Sequence, residues 1–409
     1  MKFGCIGEKL GHSFSVEIHE KIGLYDYVLM PLSRDELDGF MKRREFDGIN
    51  VTIPYKKDVI PYLETMSEEA KLCGAVNTIV KRDGKLHGYN TDFAGMRDML
   101  AFGGIEIAGK NVLILGSGGT AGTALKLCRY LGAARAELVS RGEKEGCISY
   151  EEAYRRRDTQ IIINCTPCGM YPNAGTSPVE LKRFPQLCGV ADAVYNPQKT
   201  EFLMQAEELG IPSVGGLFML VSQALYAADI FTGRSDLVAL APAIHEAVRS
   251  EKENIVLTGM PGAGKSTIGK ALAELLGREM IDSDAVIVEE EKKPIPDIFR
   301  EEGEKAFRDI ESRVIRSLSA LRGKIIATGG GVILREENVR YLKSNGKLIF
   351  LDAPLETLMP TADRPVASTA EDLKKRYEQR YDIYVSTADA IVSVTRDVEE
   401  NLKKIKQVL

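Results

Sequence analysis

A glycine-rich turn that ends in Lys-Ser carries the clearest chemical signal in the sequence. Residues 259–266 read GMPGAGKS and fit the pattern G-x-x-x-x-G-K-[S/T], between the apolar run IVLT and a helical stretch. Glycines let backbone N–H groups converge on phosphate oxygens, and the helix start adds partial positive charge. The turn therefore predicts an ATP site in which Lys265 reaches the β- and γ-phosphates and Ser266 binds Mg²⁺. The residues expected to hold the nucleotide are Gly259, Gly262, Gly264, Lys265, Ser266 and Thr267.

A second glycine-rich turn, built to a different plan, lies far upstream. The segment NVLILGSGGTAGTALKL begins at Asn111 and reads as strand, turn and helix, with the dinucleotide-binding spacing G-x-G-x-x-A. The next apolar run, AELVSR, ends on Arg141, where an NAD-preferring site commonly has an acidic residue. An arginine suits a 2′-phosphate, so we expect NADP; a structural βαβ unit with a surface arginine is the alternative. The coenzyme-binding candidates are Gly116, Gly118, Gly119, Ala121 and Arg141.

Composition narrows the class of protein around these two turns. A net charge of only −5 gives no basic surface for nucleic acid, so anionic ligands must be held by local groups. Seven irregularly spaced cysteines and four histidines argue against a zinc framework and for reduced thiols in a cytoplasmic protein. The lone CxxC of Cys165 and Cys168 reads as small side chains in a turn. No segment predicts a signal peptide or a membrane span, and the apolar stretch from Gly215 reads as a core helix.

The order of apolar runs predicts the fold class and the domains. Short Val- and Ile-rich runs alternate with helical stretches, which is typical of α/β proteins with parallel sheets. At 409 residues the chain is too long for one ordinary core. The charged stretch 249–254 separates a helix from a new strand, so we place the boundary there. We expect one domain at 1–248 and a P-loop domain with a parallel sheet at 254–409.

The second domain resembles shikimate kinase over essentially all of 254–409. The resemblance rests on the P-loop, Asp282-x-Asp284, IFREEGEKAFRDIE, IIATGGG and EDLKKRYEQRYDIY, which occur in this order. It implies that Asp284 accepts the proton of the substrate hydroxyl and that Asp282 sits by the metal. It also assigns the ring carboxylate to Arg308 and Arg380, and a close backbone approach to the three glycines centred on Gly330. Arginine forks suit a small polyhydroxy acid because they pair with its carboxylate in fixed geometry.

One part of this domain departs from the family. The family has a lid with two arginines, whereas the segment LETLMPTADRPVA is short and contains only Arg364. Lid arginines stabilise the transferring phosphoryl group and exclude water, so turnover is expected to be weaker than usual. We assign Arg364 a catalytic role. The alternative is a kinase half that only senses shikimate or ATP.

The first domain resembles shikimate dehydrogenase across 1–248. Seven short motifs recur in order: GEKLGHSFSVEIH, DGINVTIPYKK, CGAVNT, GYNTD, NCTPCGM, VADAVYNPQKT and GGLFMLVSQAL. The resemblance implies a two-lobed enzyme with a substrate lobe of 1–92 plus 217–248 and a Rossmann-like NADP lobe of 93–216. It assigns Lys56 and Asp92 to catalysis. The residues that it assigns to the substrate are Ser13 and Ser15 for the carboxylate, and Thr52, Asn77, Tyr195 and Gln223 for the ring.

Some residues in these motifs differ from the family pattern. Lys9 and Val16 replace prolines, Glu20 replaces an asparagine, and Ser140 replaces the asparagine that usually precedes the 2′-phosphate arginine. The last change leaves the choice between NADP and NAD open.

Taken together, the two resemblances predict successive reactions on one small acid. The first domain would reduce 3-dehydroshikimate to shikimate with NADPH, and the second would phosphorylate shikimate with ATP and Mg²⁺. The partners expected are these small molecules, with no nucleic acid and no membrane, and the oligomeric state is not readable from the sequence. A quinate/shikimate dehydrogenase fused to the same kinase remains the alternative within enzymes.

Overall fold

The computed structural model describes residues 2–10, 14–358 and 370–409. It divides the chain into two units, Met1–Arg249 and Ser250–Leu409. The helix before this boundary extends into the charged stretch 249–254 as far as Lys252, and the next strand begins at Asn254, so a single residue separates the two elements. Ala, Glu, Arg and Lys favour helix, so the charged residues extend the helix rather than end it. Ser13 and Arg364 lie outside the described residues.

The first lobe of the first unit is a mixed sheet with helices. Its elements are β1 (Phe3–Gly7), α1 (Ser15–Ile22), β2 (Tyr27–Pro31), α2 (Arg34–Arg43), β3 (Gly48–Val51), β4 (Thr65–Met66), α3 (Glu68–Cys73), β5 (Thr78–Arg82) and β6 (Lys85–Tyr89). The strand order is β2-β1-β3-β5-β6-β4. β1 is parallel to β2 and β3, whereas β5 runs antiparallel to β3 and β6. The C-terminal ends of β1 and β3 therefore open at the same edge of the sheet.

The second lobe is a doubly wound parallel sheet. Its elements are α4 (Thr91–Phe102), β7 (Asn111–Leu115), α5 (Gly119–Tyr130), β8 (Arg135–Val139), β9 (Cys147–Ile148), α6 (Tyr150–Arg155), β10 (Ile161–Asn164), β11 (Gly189–Asp192), α7 (Glu201–Glu208) and β12 (Ser213–Val214). The order β12-β11-β10-β7-β8-β9 reverses direction at β7, where the glycine-rich turn leaves the sheet. Such a switch point is where doubly wound folds bind nucleotides.

Two helices close the first unit. They are α8 (Leu217–Thr232) and α9 (Ala241–Lys252). α8 buries Val221, Leu225 and Ala228 and packs on α4 and α1, so it is the core helix that the apolar stretch predicted. Within the described residues, no helix has both the length and the apolar character needed to cross a membrane.

The second unit is a five-stranded parallel sheet covered by helices. Its elements are β13 (Asn254–Thr258), α10 (Lys265–Leu276), β14 (Met280–Asp282), α11 (Ser283–Glu291), α12 (Ile295–Ser319), β15 (Ile325–Ala327), α13 (Glu336–Asn345), β16 (Gly346–Asp352), α14 (Ala370–Thr387), β17 (Ala390–Ser393) and α15 (Val398–Val408). The strand order is β14-β15-β13-β16-β17. The central strand β13 is buried throughout and ends directly before the P-loop. α12 is interrupted at Gly303, which has φ 85° and ψ 170°.

Candidate active sites

The first unit contains a cavity of about 340 Å³ at the edge where β1 and β3 end. Seven of the sequence-predicted residues line it: Ser15, Thr52, Lys56, Asn77, Asp92, Tyr195 and Gln223. They come from separate places in the chain. Ser15 begins α1, Thr52 follows β3, Asn77 precedes β5 and Gln223 lies on α8. The fold thus brings these dispersed side chains around a single space of the size that small ligands occupy.

An ion pair stands at one wall of this cavity. Lys56 Nζ donates to Asp92 Oδ2 over 2.5 Å, and both side chains are mostly shielded from solvent. Asp92 lies in the first turn of α4, whose N-cap is Asn90. The positive end of a helix dipole favours a carboxylate at this position. The pair therefore presents an oriented ammonium group to whatever occupies the cavity.

A buried hydrogen-bond network fixes the amide of Asn77 beside it. The Asn77 Oδ1 accepts from the Thr91 backbone N–H at 2.7 Å and from the Thr78 hydroxyl at 3.1 Å. Its Nδ2 donates to Thr91 Oγ1 at 3.0 Å. Asn50 extends the network by donating to Thr78 Oγ1 at 3.0 Å. These bonds hold one polar side chain in a single orientation at the cavity wall, which small-molecule sites require for specificity.

Among the lining residues that sequence reasoning did not assign to the site are a lysine and a cysteine, Lys9 and Cys5. Lys9 lines the cavity, is exposed, and has no hydrogen bond or ion pair with any other residue that the structure describes. Its replacement of a usual proline was the available signal. Cys5 also lines the cavity, and burial raises the pKa of its thiol to about 11, so it is a neutral thiol near neutral pH. The lining therefore carries a second ammonium group but no thiolate.

The glycine-rich turn after β7 provides space for a dinucleotide. Gly116 has φ 114°, and a side chain there would press on the Cys165 carbonyl at 3.1 Å. Gly118 and Gly119 face open space at the start of α5, and Ala121 is buried in that helix. Such a helix start attracts phosphate.

Two cations belong to the loop after β8. Arg141 is exposed two residues beyond the strand, at the position expected for a 2′-phosphate contact. Lys144 was not predicted. Its Nζ donates to the Ser117 carbonyl at 2.8 Å, which places a second positive charge over the turn.

A buried carboxylate ties two loops at the C-terminal edge of this sheet. Asp192 Oδ1 accepts from Asn164 Nδ2 at 2.9 Å and from the Val194 backbone at 3.0 Å, while its Oδ2 accepts from the Thr200 hydroxyl at 2.6 Å. Burial raises the pKa of Asp192 to about 7 despite these three donors. Tyr195, which lines the cavity, follows on one of the two loops. Asp192 thus holds in place the backbone from which Tyr195 projects.

In the second unit, the P-loop has the geometry of a phosphate cradle. Gly259, Gly262 and Gly264 all have positive φ angles, between 83° and 148°, which glycine adopts without strain. The Lys265 ammonium donates to the carbonyls of Gly259 and Met260 at 2.8 and 3.0 Å, so it folds back over the loop. Thr267 is exposed in the first turn of α10, the part of a helix whose backbone N–H groups are available to bind phosphate oxygens.

The hydroxyl and carboxylate predicted for the metal lie together next to this loop. Ser266 Oγ donates to Asp282 Oδ2 at 2.7 Å. Asp282 also caps α11, because its Oδ1 accepts from the Asp284 backbone N–H at 3.0 Å. Mg²⁺ prefers oxygen ligands of this kind, typically one or two carboxylates together with phosphate oxygens. Among the described residues, no three His, Cys, Asp or Glu side chains are grouped so that they could hold a metal ion by themselves.

The three glycines after β15 are where the remaining predicted residues meet. A Cβ on Gly329 would lie 2.5 Å from the Asp284 carboxylate, and one on Gly331 would overlap the Arg308 guanidinium. On Gly330, a Cβ would lie 3.0 Å from the P-loop residue Pro261. A side chain at any of these positions would therefore shift the Asp284 carboxylate, the Arg308 guanidinium or the P-loop from the positions that they hold here.

The two arginines are held in different ways. Arg308 Nη1 donates to Glu311 Oε2 at 2.8 Å, and Glu311 is buried. Burial raises the pKa of Glu311, and Arg308 opposes that rise. Arg380 Nη1 donates to the Gly330 carbonyl at 2.9 Å, and burial lowers the pKa of its guanidinium. A carboxylate ligand would therefore stabilise the buried positive charge of Arg380 by forming an ion pair with it.

Comparisons with known proteins agree with the family resemblances that the sequence predicted for both parts of the chain. Residues 5–79 match the family model of the Shikimate dehydrogenase substrate binding domain, and residues 261–409 match that of Shikimate kinase. Shikimate dehydrogenase (NADP(+)) of Clostridium perfringens (strain 13 / Type A) is 40% identical over 251 residues, covering 56% of this chain and 92% of that protein.

Solved structures that resemble this chain include two shikimate 5-dehydrogenases, each over about 60% of its length. A chorismate mutase/shikimate 5-dehydrogenase fusion protein from Clostridium acetobutylicum has 37% identity and a TM-score of 0.57, covering 60% of this chain and 96% of that chain. Shikimate 5-dehydrogenase from Thermus thermophilus, solved in complex with NADP(H) and shikimate, has 28% identity and a TM-score of 0.54, covering 60% of this chain and 99% of that chain.

Proposed function

The chain belongs to the shikimate dehydrogenase family and carries a shikimate kinase domain behind it, and from this premise we propose that it catalyses two successive reactions. The first unit reduces 3-dehydroshikimate to shikimate with NADPH. The second unit phosphorylates the hydroxyl that the reduction creates. Both sites must then recognise one carboxylate at a similar distance from one reacting oxygen, and the two sets of predicted residues suit that requirement.

The observation that supports the reduction is the Lys56–Asp92 pair at the cavity wall. Hydride arriving at the ketone carbon drives negative charge onto the carbonyl oxygen, and a proton must reach that oxygen. Lys56 donates this proton, while Asp92 holds the ammonium in place through their hydrogen bond. Asn77 and Gln223 bind the ring hydroxyls, and Ser15 binds the carboxylate. The product is the alcohol, formed from one hydride and one proton.

The observation that supports the phosphorylation is the convergence of Asp284 and Arg308 on the glycines next to the P-loop. Arg308 and Arg380 bind the ring carboxylate and so orient the acid. Asp284 accepts the proton of the attacking hydroxyl, whose oxygen forms a bond to the γ-phosphorus as the bond to the leaving ADP breaks. Lys265 turns from the loop carbonyls to the phosphates and offsets their charge.

The residues present also fit two further cofactors, NADP in the first unit and Mg²⁺ in the second. NADP would lie with its pyrophosphate at Gly118 and Gly119 and its 2′-phosphate near Arg141 and Lys144, and when bound it supplies the hydride. Mg²⁺ would be held by Ser266 and Asp282, and when bound it neutralises phosphate charge.

One coupled assay tests the proposal. Given 3-dehydroshikimate, NADPH and MgATP together, we expect NADPH loss followed by ADP release, with ADP release dependent on NADPH. Shikimate added alone with MgATP should bypass the first step. NADPH loss without any ADP release, with shikimate still bound, would mean that the kinase half acts only as a sensor. Relative rates on quinate and shikimate separate the catabolic alternative.

A further inference from the structure

One tyrosine hydroxyl in the second unit lies between two loops that serve different ligands. Tyr384, near the end of α14, is only 1% exposed. Its hydroxyl lies 2.9 Å from the Gly259 carbonyl in the P-loop and 2.6 Å from the Gly330 carbonyl in the glycine triplet. Its ring stacks on Phe350 of β16, with centroids 4.9 Å apart and an angle of 6°. The contact of the ring with the sheet therefore fixes the position of the hydroxyl.

Each of these carbonyls also accepts a bond from a cation of the proposed active site. The Gly259 carbonyl accepts from Lys265 Nζ at 2.8 Å, and the Gly330 carbonyl accepts from Arg380 Nη1 at 2.9 Å. Tyr384 therefore bridges the two carbonyls that hold the phosphate-side lysine and the carboxylate-side arginine in this structure. Burial raises the pKa of Tyr384 far above its usual range, so the hydroxyl stays protonated and can donate.

The two loops are also in direct contact. A Cβ on Gly330 would lie 3.0 Å from Pro261 Cδ, so the triplet packs against the P-loop with no room to spare. A tyrosine O–H carries one proton and shares it between two acceptors only while both remain in reach. The distance between the P-loop and the triplet is thus set jointly by this packing contact and by Tyr384.

We propose that Tyr384 is a positioning residue that couples the nucleotide site to the acid site. A nucleotide that orders the P-loop fixes the Gly259 carbonyl, and through Tyr384 it fixes Gly330 and the Arg380 that Gly330 holds. Shikimate then binds to a site that is already ordered, so its affinity is higher when the nucleotide is bound. By thermodynamic reciprocity, bound shikimate must raise the affinity for the nucleotide by the same factor. This inference rests on the proposed phosphorylation, because it takes shikimate and ATP as the ligands.

Calorimetry on the full chain tests the coupling. The dissociation constant of shikimate is measured alone and with saturating AMP-PNP and Mg²⁺, in the native protein and in Tyr384→Phe. We expect the nucleotide to tighten shikimate binding at least about fivefold in the native protein, and less than about twofold in the variant. The matched control is Tyr381→Phe on the same helix, whose hydroxyl lies 3.5 Å from Asp352 Oδ2 and contacts neither glycine.

The outcomes separate this inference from the function on which it rests. If neither shikimate nor AMP-PNP binds, both the proposed phosphorylation and the role of Tyr384 are overturned. If both bind but the native protein shows no coupling, or if Tyr384→Phe keeps the native ratio, only the role of Tyr384 is overturned. A purely structural tyrosine would lower the melting temperature and leave the ratio unchanged.

Hydrogen exchange gives a test that needs no variant. In the native protein, AMP-PNP alone should slow amide exchange in residues 329–334, and unchanged exchange there would overturn the inference even if Tyr384→Phe fails to fold.

Discussion

Lys56 and Asp92 lie 36 residues apart in sequence and 2.5 Å apart in the structure. Lys56 follows β3 in the first lobe, and Asp92 opens the helix that leads out of that lobe. The start of the helix attracts the Asp92 carboxylate, and the carboxylate accepts a hydrogen bond from Lys56, so both contacts hold the pair at the cavity. This arrangement predicts that Lys56 acts as the proton donor in ketone reduction and has no part in phosphorylation.

Replacing this lysine should remove one activity and spare the other. In Lys56→Ala, the developing negative charge on the carbonyl oxygen loses its proton donor. We expect kcat for NADPH-dependent reduction to fall about 10²–10⁴-fold, the usual contribution of a positioned acid. ADP release from shikimate and MgATP in the same preparation should stay near the native rate. Loss of both activities in a folded variant would contradict independent sites.

The reciprocal variant is Lys265→Ala in the P-loop. Without the ammonium, charge on the transferring phosphoryl group is less well offset, and we expect phosphorylation to fall about 10²–10³-fold. Ketone reduction should be unchanged. Lys270→Ala is the matched control, since Lys270 is exposed on the same helix one turn further on. A comparable loss in Lys270→Ala would assign the effect to the helix rather than to the phosphate contact.

The sequence was sufficient for the fold class and for residues embedded in local patterns. The P-loop, the dinucleotide turn and the core helix α8 were predictable because glycine spacing and apolar periodicity act over a few residues. Lys56, Asp92 and Arg308 were identified only through the resemblance to known families. A single sequence without relatives contains no pattern that shows which of its lysines lines a cavity.

The supporting residues were not predicted, for a physical reason. Asp192, Glu311 and Tyr384 act through contacts with residues far away in sequence, and burial sets their behaviour. Burial is a property of the folded chain, and it appears in the sequence only as a polar residue near an apolar run. The helical turn at 249–252 was missed because charge alone does not distinguish a solvated helix face from a linker.

A methyl group at the glycine junction should disturb the acid site selectively. In Gly331→Ala, the new Cβ would overlap Arg308 Nη1, so the guanidinium must move. We expect the KM for shikimate to rise about tenfold or more, because a charge-assisted bond to the carboxylate is lost. Binding of AMP-PNP, measured by calorimetry, should stay near the native value and show that the unit is folded. An unchanged KM for shikimate would argue against Arg308 as a carboxylate ligand.

The ammonium of Lys9, which has no ion-pair partner among the residues that the structure describes, predicts a salt-sensitive contribution to substrate binding. Lys9 is exposed at the cavity and attracts an anionic acid through solvent, an effect worth up to about 1 kcal/mol. In Lys9→Gln we expect KM for 3-dehydroshikimate to rise about fivefold at low salt, with kcat nearly unchanged and the difference shrinking as salt screens the charge. Lys57→Gln, an exposed lysine outside the cavity lining, should leave KM unchanged. Equal effects of both variants would indicate only a general surface potential.

The buried carboxyl of Asp192 predicts a pH dependence of stability. Its pKa is about 7 in the folded protein against an ordinary value of 3.8. Between about pH 4 and pH 7 the folded state therefore holds a proton that the unfolded chain has released, so this group's contribution to stability falls as the pH rises through that window. Asp192→Asn cannot titrate, and its amide resembles the protonated acid. We expect the free energy of unfolding of the native protein, relative to Asp192→Asn, to decline from about pH 4 to pH 7 in urea titrations followed by circular dichroism.

The control for this measurement is Asp236→Asn on the surface. Arg234 lowers the pKa of Asp236 below 3.8, so the contribution of this carboxylate is complete at higher pH and is lost only as the pH falls below that value. The difference between the native protein and Asp236→Asn should stay constant across the same range. If the difference for Asp192→Asn is equally constant, then the three hydrogen bonds to Asp192 compensate for its burial, and the carboxylate is charged throughout.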